Sequence, residues 1–568
     1  MSSQIRRSLI LCATTALLIA TIGGSAPAVL GHHHGPGHGP RDTIVAGIDV
    51  DAATIPQLQK AMNRHRLSSL QLTLFYLHRI WKLNPELHAV TTVSPTAIAD
   101  ALAADWARKR GKGKHLPLLG IPVLLKDNIN TTGMPNTAGS WALAGSSPRD
   151  AFIVRRLRAA GAVIIGKTNL SEWANFRSAP SSSGWSGIGG QTNMAYALDR
   201  NPCGSSSGSG VAASADLATI TVGTETDGSI VCPAGANADV GIKPTLGLLS
   251  RAGVIPISAE QDTAGPITRN VTDAAVMLGA MTGIDPKDPA TAGQAGHAFA
   301  DYTQFLDEDA LDGARIGVWR EGTYDPTISP DVDAILNETI DLLESKGAVI
   351  VDPARIPIEA AYEPEFAALL CEFKSDIASY LQTYTRPKYP KTLQDLIDFN
   401  DAHPDLEGPW NSALFVDAQA TGGRADPSCT EAREEARSIA QAAIDDLMAD
   451  NHLDAILAPT NGPAWLTDPV NGDDFATFVG SSSPSAIAGY ATITVPAGFS
   501  SGLPIGVSFI AGQWDEPELI GLAYAFEQAS HARKPPEFLP SIGATSKQGQ
   551  RITQPADRTQ PSRLPPLR

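Results

Sequence analysis

Ser229 and Lys126 are the residues of this chain whose type and context are best suited to chemistry. Ser229 follows Asp227-Gly228 and precedes the apolar Ile230-Val231, which predicts a tight turn entering a buried element, with the hydroxyl at its mouth. In such a turn the N–H groups of Thr226, Asp227, Gly228 and Ser229 can converge on one point, as an oxyanion hole requires. Taken alone, a serine beside a glycine is more often a plain turn residue. Lys126 ends the apolar run Gly120-Ile121-Pro122-Val123-Leu124-Leu125. Burial there would disfavour the ammonium and lower its pKa, making the amine available as a general base near pH 7. The competing reading is a strand-end lysine that reaches solvent. A third element, Gly204-Ser205-Ser206-Ser207-Gly208, matches the letters of a G-x-S-x-G nucleophile turn. Asn201-Pro202, however, stands where that motif needs a strand. The same letters recur at 498–502, and Gly208-Ser209-Gly210 imitates a dinucleotide loop with the same strand missing.

These groups need rigid elements to hold them. The two glycine-serine loops within 201–245 flank a short apolar segment, long enough for one helix or one strand and little else. Ordering glycine costs more backbone entropy than ordering any other residue, so two such loops around a buried segment point to backbone placed close to a ligand. Upstream, Ser68-Ser69 is a helix-start signal, and Leu70, Leu74, Leu77 and Trp81 recur at helical spacing after it. A strand over 88–93, a helix over 96–110, the strand 120–125, a helix over 151–160 and a strand over 162–165 follow in alternation. The segment from 331 to 447 reads as mainly helical, and strands return at 493–495 and 505–510. Alternation of this kind implies an α/β fold, one large domain with a sheet between helices and the helical region packed over one end.

The chain has 568 residues, 43% of them apolar, with 51 Gly and 42 Pro and a formal charge of −17. An acidic chain with no evident basic stripe is repelled by nucleic acid and by anionic lipid surfaces, so neither is expected as a partner. Arg6 and Arg7, the apolar stretch 9–22 and Ala26-Pro27-Ala28 read as a signal peptide over 1–28. Export to the periplasm or medium is therefore expected, by either the general or the twin-arginine route. Nothing suggests stable membrane insertion after cleavage. Residues 29–50 read as a His/Gly/Pro-rich linker in which His32, His33, His34 and His38 could chelate a metal, and 541–568 as a disordered tail. The folded domain is expected over 51–540. Cys203 and Cys232 lie in the two glycine-serine loops, where either a disulfide or buried thiols would suit.

Three stretches in this order resemble the amidase signature family: Gly120 to Thr131, Gly161 to Glu172, and Pro202 to Ser250. Weaker echoes lie at Pro459 and from Val495 to Ile510, so the likeness spans most of 51–535. Within the family, the strings at 201–210, 223–233 and 458–465 resemble the peptide amidases. The resemblance implies a mixed central sheet, no cofactor and no metal, and a Ser–Ser–Lys triad. Ser229 would be the acylated nucleophile, Ser205 the bridging serine in a cis peptide, Lys126 the base, and Ser206 a supporting residue. It also implies conversion of a carboxamide to acid and ammonia, with C-terminal peptide amides as the expected substrates. Aryl, fatty or small aliphatic amides are the alternatives. A transamidation subunit that delivers ammonia to charged tRNA shares the signature, but an exported acidic chain argues against it. A non-catalytic metal-binding scaffold is the remaining alternative. Where the family commonly has Gly-Gly-Ser, this chain has Asp227-Gly228-Ser229. That places a carboxylate beside the expected oxyanion site, a feature the peptide-amidase-like sequences share.

Overall fold

The computed structural model describes residues 42–474 and 478–542. The expected signal peptide, the His-rich stretch and almost all of the expected tail lie outside these. A small hairpin, Ile44–Val45 with Ile48–Asp49, occupies part of the expected linker, so ordered structure begins before Asp51.

One mixed sheet of eleven strands organises the molecule. In chain order they are β1 (Val90–Val93), β2 (Pro122–Lys126), β3 (Val163–Thr168), β4 (Ile220–Glu225), β5 (Val240–Lys243) and β6 (Thr263–Thr268). They continue as β7 (Arg315–Val318), β8 (Val349–Val351), β9 (Ala455–Pro459), β10 (Thr492–Ser500) and β11 (Leu503–Ile510). Their spatial order is β8-β7-β9-β11-β10-β5-β6-β4-β2-β3-β1. β2 runs parallel to both neighbours, β3 and β4, whereas β6 pairs antiparallel with β4 and β5. Every residue of β2, β3 and β4 is buried, which explains why 120–125 reads as a continuous apolar run rather than an alternating one: helices cover both faces.

The segment between the glycine-serine loops holds more than one element. The helix Ser207–Ser214 and strand β4 both fit there, because alanine and serine let the helix pack flush against the sheet. The helix Ser69–Leu87 starts at the expected cap, with Ser68 Oγ accepting from Gln71 N. Its buried face is Leu72, Tyr76, Ile80, Leu83 and Leu87, however, while Leu74 and Trp81 are 45% and 74% exposed. Of the expected stripe, Leu74 and Trp81 therefore face outward while Leu77 packs against the edge of the core, because a second apolar row on this helix meets the sheet.

The helical middle packs as expected over one end of the sheet. Helices Tyr362–Tyr384, Leu393–Ala402 and Ala413–Ala420 bury Phe373, Ile377, Leu381, Leu396 and Phe415 against Leu143, Trp173, Ile255 and Ile257. Two disulfides are formed, Cys203–Cys232 and Cys371–Cys429. The first resolves the open question of those two thiols. The second joins the helix Tyr362–Tyr384 to the helix Pro427–Asn451, where Arg433 also grips both oxygens of Glu372 at 3.0 and 2.7 Å. Among the described residues no helix is long and apolar enough to cross a membrane.

Candidate active site

Lys126 is the last residue of β2 and is fully buried. With helices over both faces of the strand, its Nζ stays inside, donating to Ser205 Oγ at 2.7 Å and to the Thr224 carbonyl at 3.2 Å. Burial pushes its pKa down to about 7, against the opposing pull of the Glu225 and Asp262 carboxylates. A lysine at its ordinary pKa is only about 0.04% neutral at pH 7, so this environment raises the neutral fraction by on the order of a thousandfold.

Ser205 stands in the loop before the helix Ser207–Ser214, and the Gly204–Ser205 peptide is cis. The loop is pinned from several sides. Ser206 Oγ donates to the Thr224 carbonyl at 3.0 Å and accepts from Thr224 N at 3.2 Å, while Ser207 Oγ donates to the Cys203 carbonyl at 2.6 Å. Gly204 leaves no room for a side chain: a Cβ there would collide with Ser171 Oγ and stand 3.1 Å from Asn175 Oδ1. Asn175 ends three successive non-glycine residues in the left-handed region, Trp173, Ala174 and Asn175, with φ of 50°, 56° and 69°. Such a turn is costly for L-residues and persists only where its surroundings fix it. No sequence signal marked it.

Ser229 sits on the turn between β4 and the helix Val231–Ala236, after Gly228 at φ 74°, a conformation glycine adopts without strain. Its carbonyl accepts from Ser206 N at 3.2 Å, which ties the two serine-bearing loops directly. The Cys203–Cys232 disulfide joins the same two loops covalently, two residues before Ser205 and three after Ser229. Among the described residues Ser229 Oγ has no hydrogen-bond partner, and the N–H groups of Thr226, Asp227, Gly228 and Ser229 have no protein acceptor. The expected oxyanion donors are therefore uncommitted.

Several residues that shape the site were not anticipated. Glu225 Oε2 accepts from Ile230 N at 2.6 Å and Val231 N at 3.0 Å, fixing the turn that carries Ser229. The only signal in the sequence was a carboxylate just ahead of a helix start, where it complements free N–H groups. Thr226 Oγ1 donates to Asp262 Oδ1 at 2.6 Å, and Gln261 Nε2 bridges the Thr226 carbonyl (3.0 Å) to Glu365 Oε1 (2.6 Å) on the helical lobe. Burial raises Asp262 to about 7 and Glu365 to about 8. The Asp227 side chain accepts from Ser482 Oγ at 2.5 Å, and burial raises its pKa, so its charge next to the turn is both hydrogen-bonded and disfavoured. Among the described residues no cluster of His, Cys, Asp or Glu could hold a metal ion, and the His-rich stretch lies outside them.

The family model for Amidase matches residues 71–520. The X-ray structure of native peptide amidase from Stenotrophomonas maltophilia is similar at a TM-score of 0.81 and 47% identity, over 86% of this chain and 99% of that one. A probable amidase of Arabidopsis thaliana is 41% identical over 504 residues, 86% of this chain and 92% of the relative. A glutamyl-tRNA(Gln) amidotransferase subunit of Pseudomonas aeruginosa is 33% identical over 85% of this chain and 99% of its own length.

Proposed function

This chain belongs to the amidase family and hydrolyses amide C–N bonds, and from that premise we propose that Ser229, Ser205 and Lys126 form its catalytic triad and that its substrates are C-terminal peptide amides. The neutral Lys126 amine takes the Ser205 proton while Ser205 Oγ takes that of Ser229. Ser229 Oγ then bonds to the carboxamide carbon. The resulting oxyanion is held by the N–H groups of residues 226–229. As the C–N bond breaks, the proton returns from Lys126 through Ser205 to the departing nitrogen, and ammonia leaves. Water, deprotonated along the same route, releases the acid and restores Ser229. No cofactor is required. The observation that carries this reading is the 2.7 Å hydrogen bond from a fully buried lysine, held near pKa 7, to Ser205.

Support for peptide amides is the similarity to a peptide amidase over nearly all of that protein's length. Ammonia release from a peptide C-terminal amide, set against aryl, fatty and small aliphatic amides, tests it. Higher kcat/KM on any of the latter three would reject the peptide assignment while leaving the triad standing. Ser205→Ala should lower kcat/KM by about 10²- to 10⁴-fold, the scale of a lost proton-transfer group.

The pH dependence has a definite sign. Protonated Lys126 cannot accept a proton, so kcat/KM should fall about tenfold per pH unit below about 7 and level off above it. The Glu225 carboxylate favours the lysine's charge, so Glu225→Gln, which keeps an acceptor for the turn, should shift this limb to lower pH. A pH–rate profile of each protein checks both statements.

We further propose export, on Arg6, Arg7 and the apolar run that follows, together with two disulfides of the kind that persist in oxidising compartments. Finding the enzyme uncleaved in the cytosol of its native host would reject this.

A further inference from the structure

The outward face of the helix Ser69–Leu87 and its neighbour Ala97–Lys109 is unlike the rest of the surface. Asp105 holds the two helices side by side, accepting from Ser69 N at 2.7 Å and Leu70 N at 3.0 Å at the start of the first. Ile98, Leu102 and Trp106 form a helical stripe 47%, 50% and 55% exposed, and Leu74 and Trp81 of the neighbouring helix are 45% and 74% exposed. Five large apolar side chains on two adjacent helices exceed the scattered single exposures that need no explanation.

The charge around this face reverses that of the whole molecule. Residues 52–85 and 106–126 contain no Asp or Glu, and the stretch between them holds only Glu86, Asp100 and Asp105, in a chain of net charge −17. Exposed Arg64 and Arg66 follow the helix Ile55–Asn63, and exposed Lys109, Arg110, Lys112 and Lys114 follow Trp106. Buried Arg108 holds the two groups together, donating to Gln59 Oε1 and the Leu119 carbonyl at 2.6 Å and to Asn63 Oδ1. Arg110 lies 3.6 Å over the Trp106 ring, and Lys82 and His78 flank Trp81 on the exposed side. The expectation that no basic stripe offsets the acidic composition therefore fails locally. Cations separated along the chain are gathered by the fold.

We propose that this face is a docking surface for an anionic lipid bilayer. Indole rings and leucines at the centre would enter the headgroup region, and the surrounding lysines and arginines would meet lipid phosphates, the pattern of an interfacial rather than spanning contact. A purely polyanionic partner would be served by the cations without the exposed tryptophans, and an apolar protein partner without the cations. Charge and hydropathy together select the lipid surface.

Sedimentation of the full chain with phosphatidylglycerol–phosphatidylcholine vesicles, compared with phosphatidylcholine alone, tests this. Binding is expected only to the anionic vesicles and should weaken with added salt. Lys109→Glu/Arg110→Glu/Lys112→Glu should lower the partition coefficient roughly 100-fold or more. Trp81→Ser/Trp106→Ser should abolish the quenching of tryptophan fluorescence by brominated lipid that the unaltered protein shows. All five substituted side chains are exposed, and circular dichroism verifies that each variant is folded. Should the tryptophan variant fail to fold, the charge variant alone decides. No binding to anionic vesicles, or undiminished binding by the charge variant, would overturn the proposal. So would binding to heparin or DNA without binding to vesicles.

Discussion

Replacing Ser229 by alanine should reduce kcat/KM for a peptide amide by about 10⁴- to 10⁶-fold, the scale on which a covalent nucleophile is lost. Folding should hardly change. Among the described residues Ser229 Oγ has no hydrogen-bond partner, and the contact that secures the turn, from Ser206 N, uses the Ser229 carbonyl, which alanine retains. The stability difference is therefore expected within about 0.5 kcal/mol. Ammonia release and thermal denaturation measured on the same preparation separate the two effects. A serine-reactive fluorophosphonate should label Ser229 in the parent protein and nothing in the variant. Retained turnover, or labelling at Ser205 instead, would refute the assignment.

Lys126→Met should be nearly as damaging, lowering kcat/KM by about 10³- to 10⁴-fold. Methionine fills the buried volume but cannot take a proton, and the residual activity should lose its limb near pH 7. Stability provides a second readout with a fixed sign. The folded lysine titrates at about 7 and the unfolded one near 10.5. Between those values the unfolded chain binds a proton that the folded chain does not, so the parent protein gains stability as pH rises through this window. The methionine variant lacks that dependence. Its stability relative to the parent should therefore improve as pH falls from about 10.5 to about 7, then stay constant. Urea unfolding across that range checks the slope.

What was legible in the sequence was what local pattern encodes. Ser68-Ser69 announced a helix start because capping is a contact within one turn. Lys126 and Ser229 stood out because an apolar run and a glycine turn are themselves local. The orientation of the helix Ser69–Leu87 was not legible, since Leu74 and Trp81 satisfy a helical period as well as Leu72, Tyr76 and Ile80 do, and only the neighbouring sheet chooses between them. Nor was the support of the site. Gln261 and Ser482 act on groups far along the chain: the Gln261–Glu365 hydrogen bond spans 104 positions and the Ser482–Asp227 one 255. The pairing of Cys371 with Cys429 was hidden for the same reason, because spacing alone does not decide connectivity.

The helical lobe reaches the Ser229 turn through Gln261, which relays Glu365 to the Thr226 carbonyl, whereas Lys126 and Ser205 are held by the strands and the loop beside them. A change at Gln261 or Glu365 therefore reaches the Ser229 turn through the Thr226 carbonyl and leaves the Lys126–Ser205 contact in place.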